Sequence, residues 1–274
     1  MPVVKTVTLQ GAAERLGVHY MTVYRYVRLG RLPARKVRGV WEVEIADLTG
    51  LRRGLDRRVG RRRPAAWSKR LESRLIAGDE AGAWGVVESA LASGSDPAEI
   101  HTRLLGPALR SVGERWAAGD LTVAEEHLAS SVALRLIGRL GPRFARPGRP
   151  RGRVIVATPP GERHAIPGAM LADLLRGAGF AVTDLGADVP ADELEGVIGA
   201  FDDLVAVCIA ATTGGTDRAI KRSVKAVQKV VEVPVVLGGA GVADAEHAVG
   251  LGADHYAGSM PDAVVLVTSL SEQV

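Results

Sequence analysis

Ala157-Thr158-Pro159-Pro160-Gly161-Glu162-Arg163-His164-Ala165-Ile166-Pro167-Gly168 is the stretch on which the fold turns. It follows the apolar run Val154-Ile155-Val156 and precedes a segment in which Met170, Leu171, Leu174 and Leu175 recur at helical spacing, so it reads as strand, loop and helix. In open α/β sheets ligands sit outside the carboxyl ends of the strands, which makes a charged loop bearing a histidine a candidate site. Glu162 stands two residues before His164, where its carboxylate can hold one imidazole nitrogen and leave the other free for a metal. A lone histidine at a helix start is more often a structural residue bonded to backbone. These residues alone leave both readings open.

Working outward, apolar runs alternate with helical patterns from this loop to the C-terminus. Strands are expected at 153–158, 181–186, 204–211, 233–237 and 255–257, each followed by a helix, which makes a parallel, doubly wound sheet of the flavodoxin type. Thr212-Thr213-Gly214-Gly215 and Gly238-Gly239-Ala240-Gly241 follow the third and fourth strands, and Gly258 and Asp262 follow the fifth. Small residues there let a bulky group approach the backbone, although ordinary strand-to-helix turns use the same residues. Asp184 and Asp188 flank Leu185-Gly186 with no role assigned.

Upstream, 67–145 reads as four helices, at about 67–77, 79–93, 96–117 and 122–141, broken at Gly78, Gly94 and Gly119-Asp120. Thr122-Val123-Ala124-Glu125 is a capping box for the last of them. Trp116 ends one helix and Glu126-His127 opens the next, so the three meet across a short loop at one end of the bundle. Taken alone they are equally a core tryptophan beside a solvated pair. A second linker, rich in proline and arginine, spans 142–152.

The N-terminal segment differs in charge. Residues 1–70 carry 17 Lys and Arg against 5 Asp and Glu, a net of +12, while the remainder carries 18 against 26, a net of −8, giving +4 for the chain. A basic head on an acidic body points to a polyanionic partner for the head. Within 1–50, Thr8 caps a helix through Leu9, Ala12, Ala13 and Leu16, and a second helix over Tyr20–Leu29 places Met21, Tyr24 and Val27 inward. This is a helix-turn-helix that leaves His19, Tyr20, Thr22, Arg25 and Tyr26 free for a DNA groove. The strands 34–36 and 40–43 form a wing that carries Arg35, Lys36 and Arg38 toward phosphates. A protein-docking module with a solvated basic face is the competing reading. An arginine-rich, glycine-broken linker, 51–66, follows.

With 47% hydrophobic residues a sizeable core is expected, yet no apolar run reaches the ~18 residues of a membrane span. The N-terminus runs straight into helical periodicity, so a cytoplasmic chain without a membrane partner is expected. The single cysteine, Cys208, excludes an internal disulfide framework and a thiolate zinc site.

Three resemblances add to this. The head is similar to excisionase and MerR-type winged helices. The loop resembles the Asp-x-His-x-x-Gly signature of cobalamin-binding domains, with Glu162 for Asp and Pro167 where that family usually has Gly. Cys208-Ile209-Ala210 lies where the family has Ser-x-Leu, and Gly238-Gly239 matches its diglycine. Trp116, nine intervening residues and Glu126-His127 resemble the adenosyl-side motif of the CarH and LitR photoreceptor family.

These resemblances imply a multidomain regulator and not an enzyme: an all-α winged helix-turn-helix (1–50), a basic linker (51–66), a four-helix bundle cap (67–145) and a flavodoxin-like domain (153–274). His164 is implied as the lower cobalt ligand, supported by Glu162. Cys208, Thr212, Gly238, Gly239 and Gly258 would bound the pocket for the nucleotide tail. Trp116 and Glu126 would cover the adenosyl group, and His127 would take the cobalt once that group has left. The implied cofactor is adenosylcobalamin, with methylcobalamin as the alternative. The implied partners are operator DNA and further copies of the chain, as a tetramer in the dark that light dissociates. A light-independent cobalamin-responsive regulator, a corrinoid methyl carrier, and a regulator that binds another ligand are the competing readings.

Overall fold

The computed structural model describes residues 6–16, 20–28, 32–37, 39–48 and 64–272. The chain divides into two units, Met1–Ala66 and Trp67–Val274.

In the first unit, β1 (Thr6–Thr8) leads into α1 (Leu9–Leu16), followed by α2 (Tyr20–Arg28), β2 (Arg35–Val37) and β3 (Val40–Glu44). The Thr8 hydroxyl accepts from the backbone of Gly11, as a cap should. β2 and β3 form the expected antiparallel wing, with a turn at Gly39 in the left-handed region. β1, which the sequence does not reveal, pairs with β3 on its other side. The small core is Leu9, Ala12, Ala13, Val23, Leu32, Val43 and Leu48, with Tyr24 and Val27 packed against it. Among the described side chains of α2, Val23 is fully buried; that of Met21 lies outside the described residues.

The second unit begins with the bundle: α3 (Pro64–Ile76), α4 (Glu80–Ala92), a helix that runs through Pro97–Glu99, a π-turn at Ile100–Leu105 and α5 (Gly106–Ala117), then α6 (Val123–Leu140). Asp79 caps α4, and Asp96 with Glu99 forms a capping box at the third helix. At α6 the expected box is present: Thr122 Oγ1 accepts from the Glu125 N–H, and the Glu125 carboxylate accepts from the Thr122 N–H. Thr122→Ala should destabilise the unit by about 1 kcal/mol in urea unfolding. The π-turn is a departure from the single unbroken helix that the sequence suggests.

β4 (Arg153–Ala157), α7 (Ala165–Gly177), β5 (Ala181–Asp184), α8 (Ala191–Ile198), β6 (Leu204–Ala210), α9 (Asp217–Val230), β7 (Val235–Gly238), α10 (Ala245–Gly250), β8 (His255–Ala257) and α11 (Met260–Leu270) complete the chain. The strands form one parallel sheet in the order β5-β4-β6-β7-β8, the flavodoxin-type winding expected. The central strands are covered on both faces, which is why they read as continuous apolar runs. Ile155, Val207, Ile209 and Leu237 pack under α8 and α9, while Val154, Val156, Ala206, Cys208 and Val236 pack under α7 and α11. Met170 and Leu174 of α7 also enter the bundle core with Leu71, Ile100, Leu104 and Leu136. The bundle is thereby seated beside the carboxyl edge of the sheet, where the site forms.

Candidate cofactor cavity

The loop after β4 is held by a small polar network. Thr158 donates its hydroxyl to the Glu162 carbonyl and accepts from the Asp188 N–H, and the Asp188 carboxylate accepts from the Gly161 N–H. Asp188 is left-handed at φ 56, the one non-glycine residue with positive φ among the described residues. The sequence gives Asp188 no role. Here it ties the second strand's loop to the first, and no signal of periodicity could have shown that.

This network presents Glu162, which is 0% exposed. Its Oε2 accepts from the backbone N–H groups of Thr212 and Thr213, both at 2.7 Å. Its Oε1 accepts from the His164 N–H at 3.0 Å and from His164 Nδ1 at 2.5 Å. Burial alone would raise the Glu162 pKa, but the backbone donors of His164 and Thr213, the imidazole and the Thr212 N–H together hold it down to about 2. Since the carboxylate is an acceptor, Nδ1 carries the proton and Nε2 of the neutral ring keeps its lone pair. The extra methylene of Glu162 relative to Asp does not loosen this support. Thr213, whose hydroxyl also reaches Glu162 Oε1 at 3.3 Å, is a supporting residue that the sequence did not single out.

His164 is the N-cap residue of α7, with its side chain 56% exposed. It lines a cavity of about 1180 Å³ between helices α5 and α6 and the carboxyl edge of the sheet. Trp116, Glu126 and His127 line the same cavity from the bundle, and Cys208, Thr212, Gly238, Gly239 and Gly258 line it from the sheet. Of the residues implied for cofactor binding, Glu162 alone is not on the wall; it acts from behind His164. Trp116 is 46% exposed, with Val123 and Leu134 also uncovered apolar residues on this wall. Glu126 accepts from the Ser130 hydroxyl at 2.6 Å, and the open ring of His127 lies 3.6 Å from the other Glu126 oxygen.

The diglycine lines the cavity and also serves the packing of the sheet edge: a Cβ on Gly238 would lie 2.9 Å from the Ala257 carbonyl oxygen, and one on Gly239 2.2 Å from that of Ala211, so the backbone beside each requires glycine, the turn reading that the sequence leaves open. Cys208 is buried, and burial pushes its thiol up to about 12, so it acts as an apolar spacer there. In the head, Tyr20 is exposed, as are Arg35 and Lys36. Tyr26 is half-buried, with its ring packed against the head's core. Thr22 and Arg25 fall on α2, but their side chains, together with His19, Arg38 and the linker over 51–63, lie outside the described residues.

The residues fit a cobalt macrocycle. Among the described residues no cluster of three or more His, Cys, Asp or Glu could hold a metal ion, so a metal here would need most of its ligands from the cofactor itself. The cavity exceeds the roughly 300–1,000 Å³ of ordinary small-molecule pockets, and one imidazole nitrogen is preset for coordination.

Residues 67–140 and 152–267 each match a B12 binding domain, and residues 6–50 match a helix-turn-helix domain. The trimethylamine corrinoid protein of Methanosarcina barkeri is 30% identical over 187 residues, covering 66% of this chain and 86% of its own. The chain belongs to the corrinoid proteins. This corrinoid protein is also 36% identical, over 155 residues, to the HTH-type transcriptional repressor CarH of Myxococcus xanthus. That match covers 55% of the chain and spans half the length of the repressor. The fold is that of the Methanosarcina barkeri monomethylamine corrinoid protein, with a TM-score of 0.63, 21% identity, and coverage of 73% of this chain and 96% of that one. A helix-turn-helix joined to two B12 binding domains makes the corrinoid protein a cobalamin-binding regulator with a DNA-binding head. Among the described residues no helix is long and apolar enough to cross a membrane.

Proposed function

We propose that this chain is a light-responsive transcriptional repressor whose hold on operator DNA follows the state of bound adenosylcobalamin. One observation carries the proposal: a single cavity has the coordinating face of His164 on one wall and Trp116, Glu126 and His127 on the other. When bound, adenosylcobalamin supplies visible absorption and a cobalt–carbon bond that light can break.

The chain's own residues divide the remaining work. His164 would hold the cobalt through Nε2, and Glu162 fixes its tautomer and orientation. Trp116 gives an apolar plate that excludes water from the upper side, and the Glu126 carboxylate accepts hydrogen bonds from sugar hydroxyls or a base. His127, open to the cavity and weakly tied to Glu126, is a second imidazole on the cavity, across from His164. Arg35 and Lys36 meet phosphates from the wing. A single head binds weakly, so joining heads in an oligomer raises affinity through effective concentration, and oligomer state acts as the switch. The dark, adenosylated form is a tetramer.

The test is to load the protein with adenosylcobalamin in darkness and follow its mass and operator binding before and after green light. Loss of both tetramer and operator binding is expected. Unchanged mass with unchanged binding removes the light switch and leaves a light-independent cobalamin-responsive regulator. The methylamine corrinoid relatives favour a second reading, a methyl carrier, in which the same cavity holds methylcobalamin. That reading predicts cobalamin binding indifferent to Trp116→Ala, whereas the light switch requires Trp116.

A further inference from the structure

The seat of the bundle on α7 is built on apolar contacts. Met170 and Leu174 enter the bundle core, and Ile166 and Ala169 pack against it. Apolar contacts of this kind are non-directional and tolerate sliding. Through them passes His101, 0% exposed, whose Nε2 lies 3.0 Å from Asp173 Oδ2 on α7. Asp173 is itself buried, and its second oxygen accepts from Arg176 at 3.0 Å. With Nε2–H donating to the carboxylate, Nδ1 finds no hydrogen-bond partner among the described residues, and the Phe144 ring lies beside the imidazole with centroids 4.9 Å apart. A buried pair with an orphaned nitrogen is a poor source of stability, and its best-attested use is to specify register.

The location matches that use. His101 lies in the π-turn Ile100–Leu105, where its carbonyl accepts the long-period bond from the Gly106 N–H. π-turns inside helices concentrate at functional sites. Thr102 and Gly106 from this turn line the cavity. At the other end of the contact, His164 is the N-cap of α7, which carries Asp173 nine residues further on.

We propose that His101 and Asp173 are positioning residues: a register pin that fixes the bundle on α7 and so sets the spacing between the His164 wall and the Trp116–Glu126 wall. The proposal rests on the cofactor site described above. It assigns neither residue to contact with the cofactor.

The test uses the full chain with spin labels at Glu88→Cys on α4 and Val265→Cys on α11, both exposed positions. Cys208 is buried and does not take the label. Without cofactor, a narrow distance distribution is expected for the otherwise unchanged protein. Replacing both partners, His101→Leu with Asp173→Leu, removes the pair and strands no buried charge, since Arg176, which loses its carboxylate, is half-exposed to solvent, so folding is retained. In that variant the distribution should broaden and cobalamin affinity fall about tenfold, as when the competent arrangement is populated one-tenth of the time. His101→Gln, which can still donate to Asp173, should restore both. A distribution that stays narrow in the double Leu variant overturns the pin, as does an affinity loss without broadening. If no version of the protein binds cobalamin, the cofactor reading fails, and the distance measurement still decides the pin.

Discussion

Replacing His164 by Ala is expected to abolish the base-off absorption spectrum of bound cobalamin and to weaken binding at least about a hundredfold. The ring is the one preset coordinating group on the sheet side of the cavity: Nδ1 is engaged by Glu162 and Nε2 is bare. The substitution removes the ligand but leaves Glu162 its bonds from the Thr212 and Thr213 N–H groups, so the loop keeps its shape. The measurement is the visible spectrum of protein passed through gel filtration after loading. A base-off spectrum that survives in His164→Ala assigns the lower ligand to another residue.

Glu162→Gln should act through stability and affinity together. The buried carboxylate accepts on both oxygens, whereas an amide accepts on one and turns an NH₂ toward donors that are already there. Cobalamin binding is expected to fall about 10–100-fold, the usual cost of losing the partner of a metal-bound histidine. The stability effect has a definite sign with pH. The Glu162 pKa is held to about 2 from an ordinary 4.5, so its contribution, about 3 kcal/mol, is fully present above the ordinary value and lost as pH falls toward 2. Urea unfolding at pH 7 and pH 3 should therefore show a smaller loss on acidification in Glu162→Gln than in the unchanged protein. Equal losses would show that the carboxylate is not held by these bonds.

The parts of the fold that local patterning controls were legible in the chain. Buried strands appear as Val154-Ile155-Val156, the α6 cap appears as Thr122 with Glu125, and the Glu162–His164 pair lies only two residues apart. What could not be read joins distant segments. The Thr213 N–H reaches Glu162 across 51 residues, and His101 meets Asp173 across 72. Neither leaves a periodic trace, because each depends on how two separately patterned elements are stacked. The diglycine carries both readings at once: it lines the cavity, and the carbonyls of Ala211 and Ala257 occupy the space that a side chain would need. Tyr26, on a helix face that seems polar in projection, is half-buried and packs its ring on the head's core.

The winding of the sheet also orders events during synthesis. β4 sits inside the sheet, between β5 and β6, so its second edge stays open until residue 210 has been made. The bundle is translated earlier, yet its core closes only when Met170 and Leu174 arrive with α7. A nascent chain halted before α7 would hold four helices around an unfinished interior, so the helical part owes its completion to the domain that follows it on the ribosome.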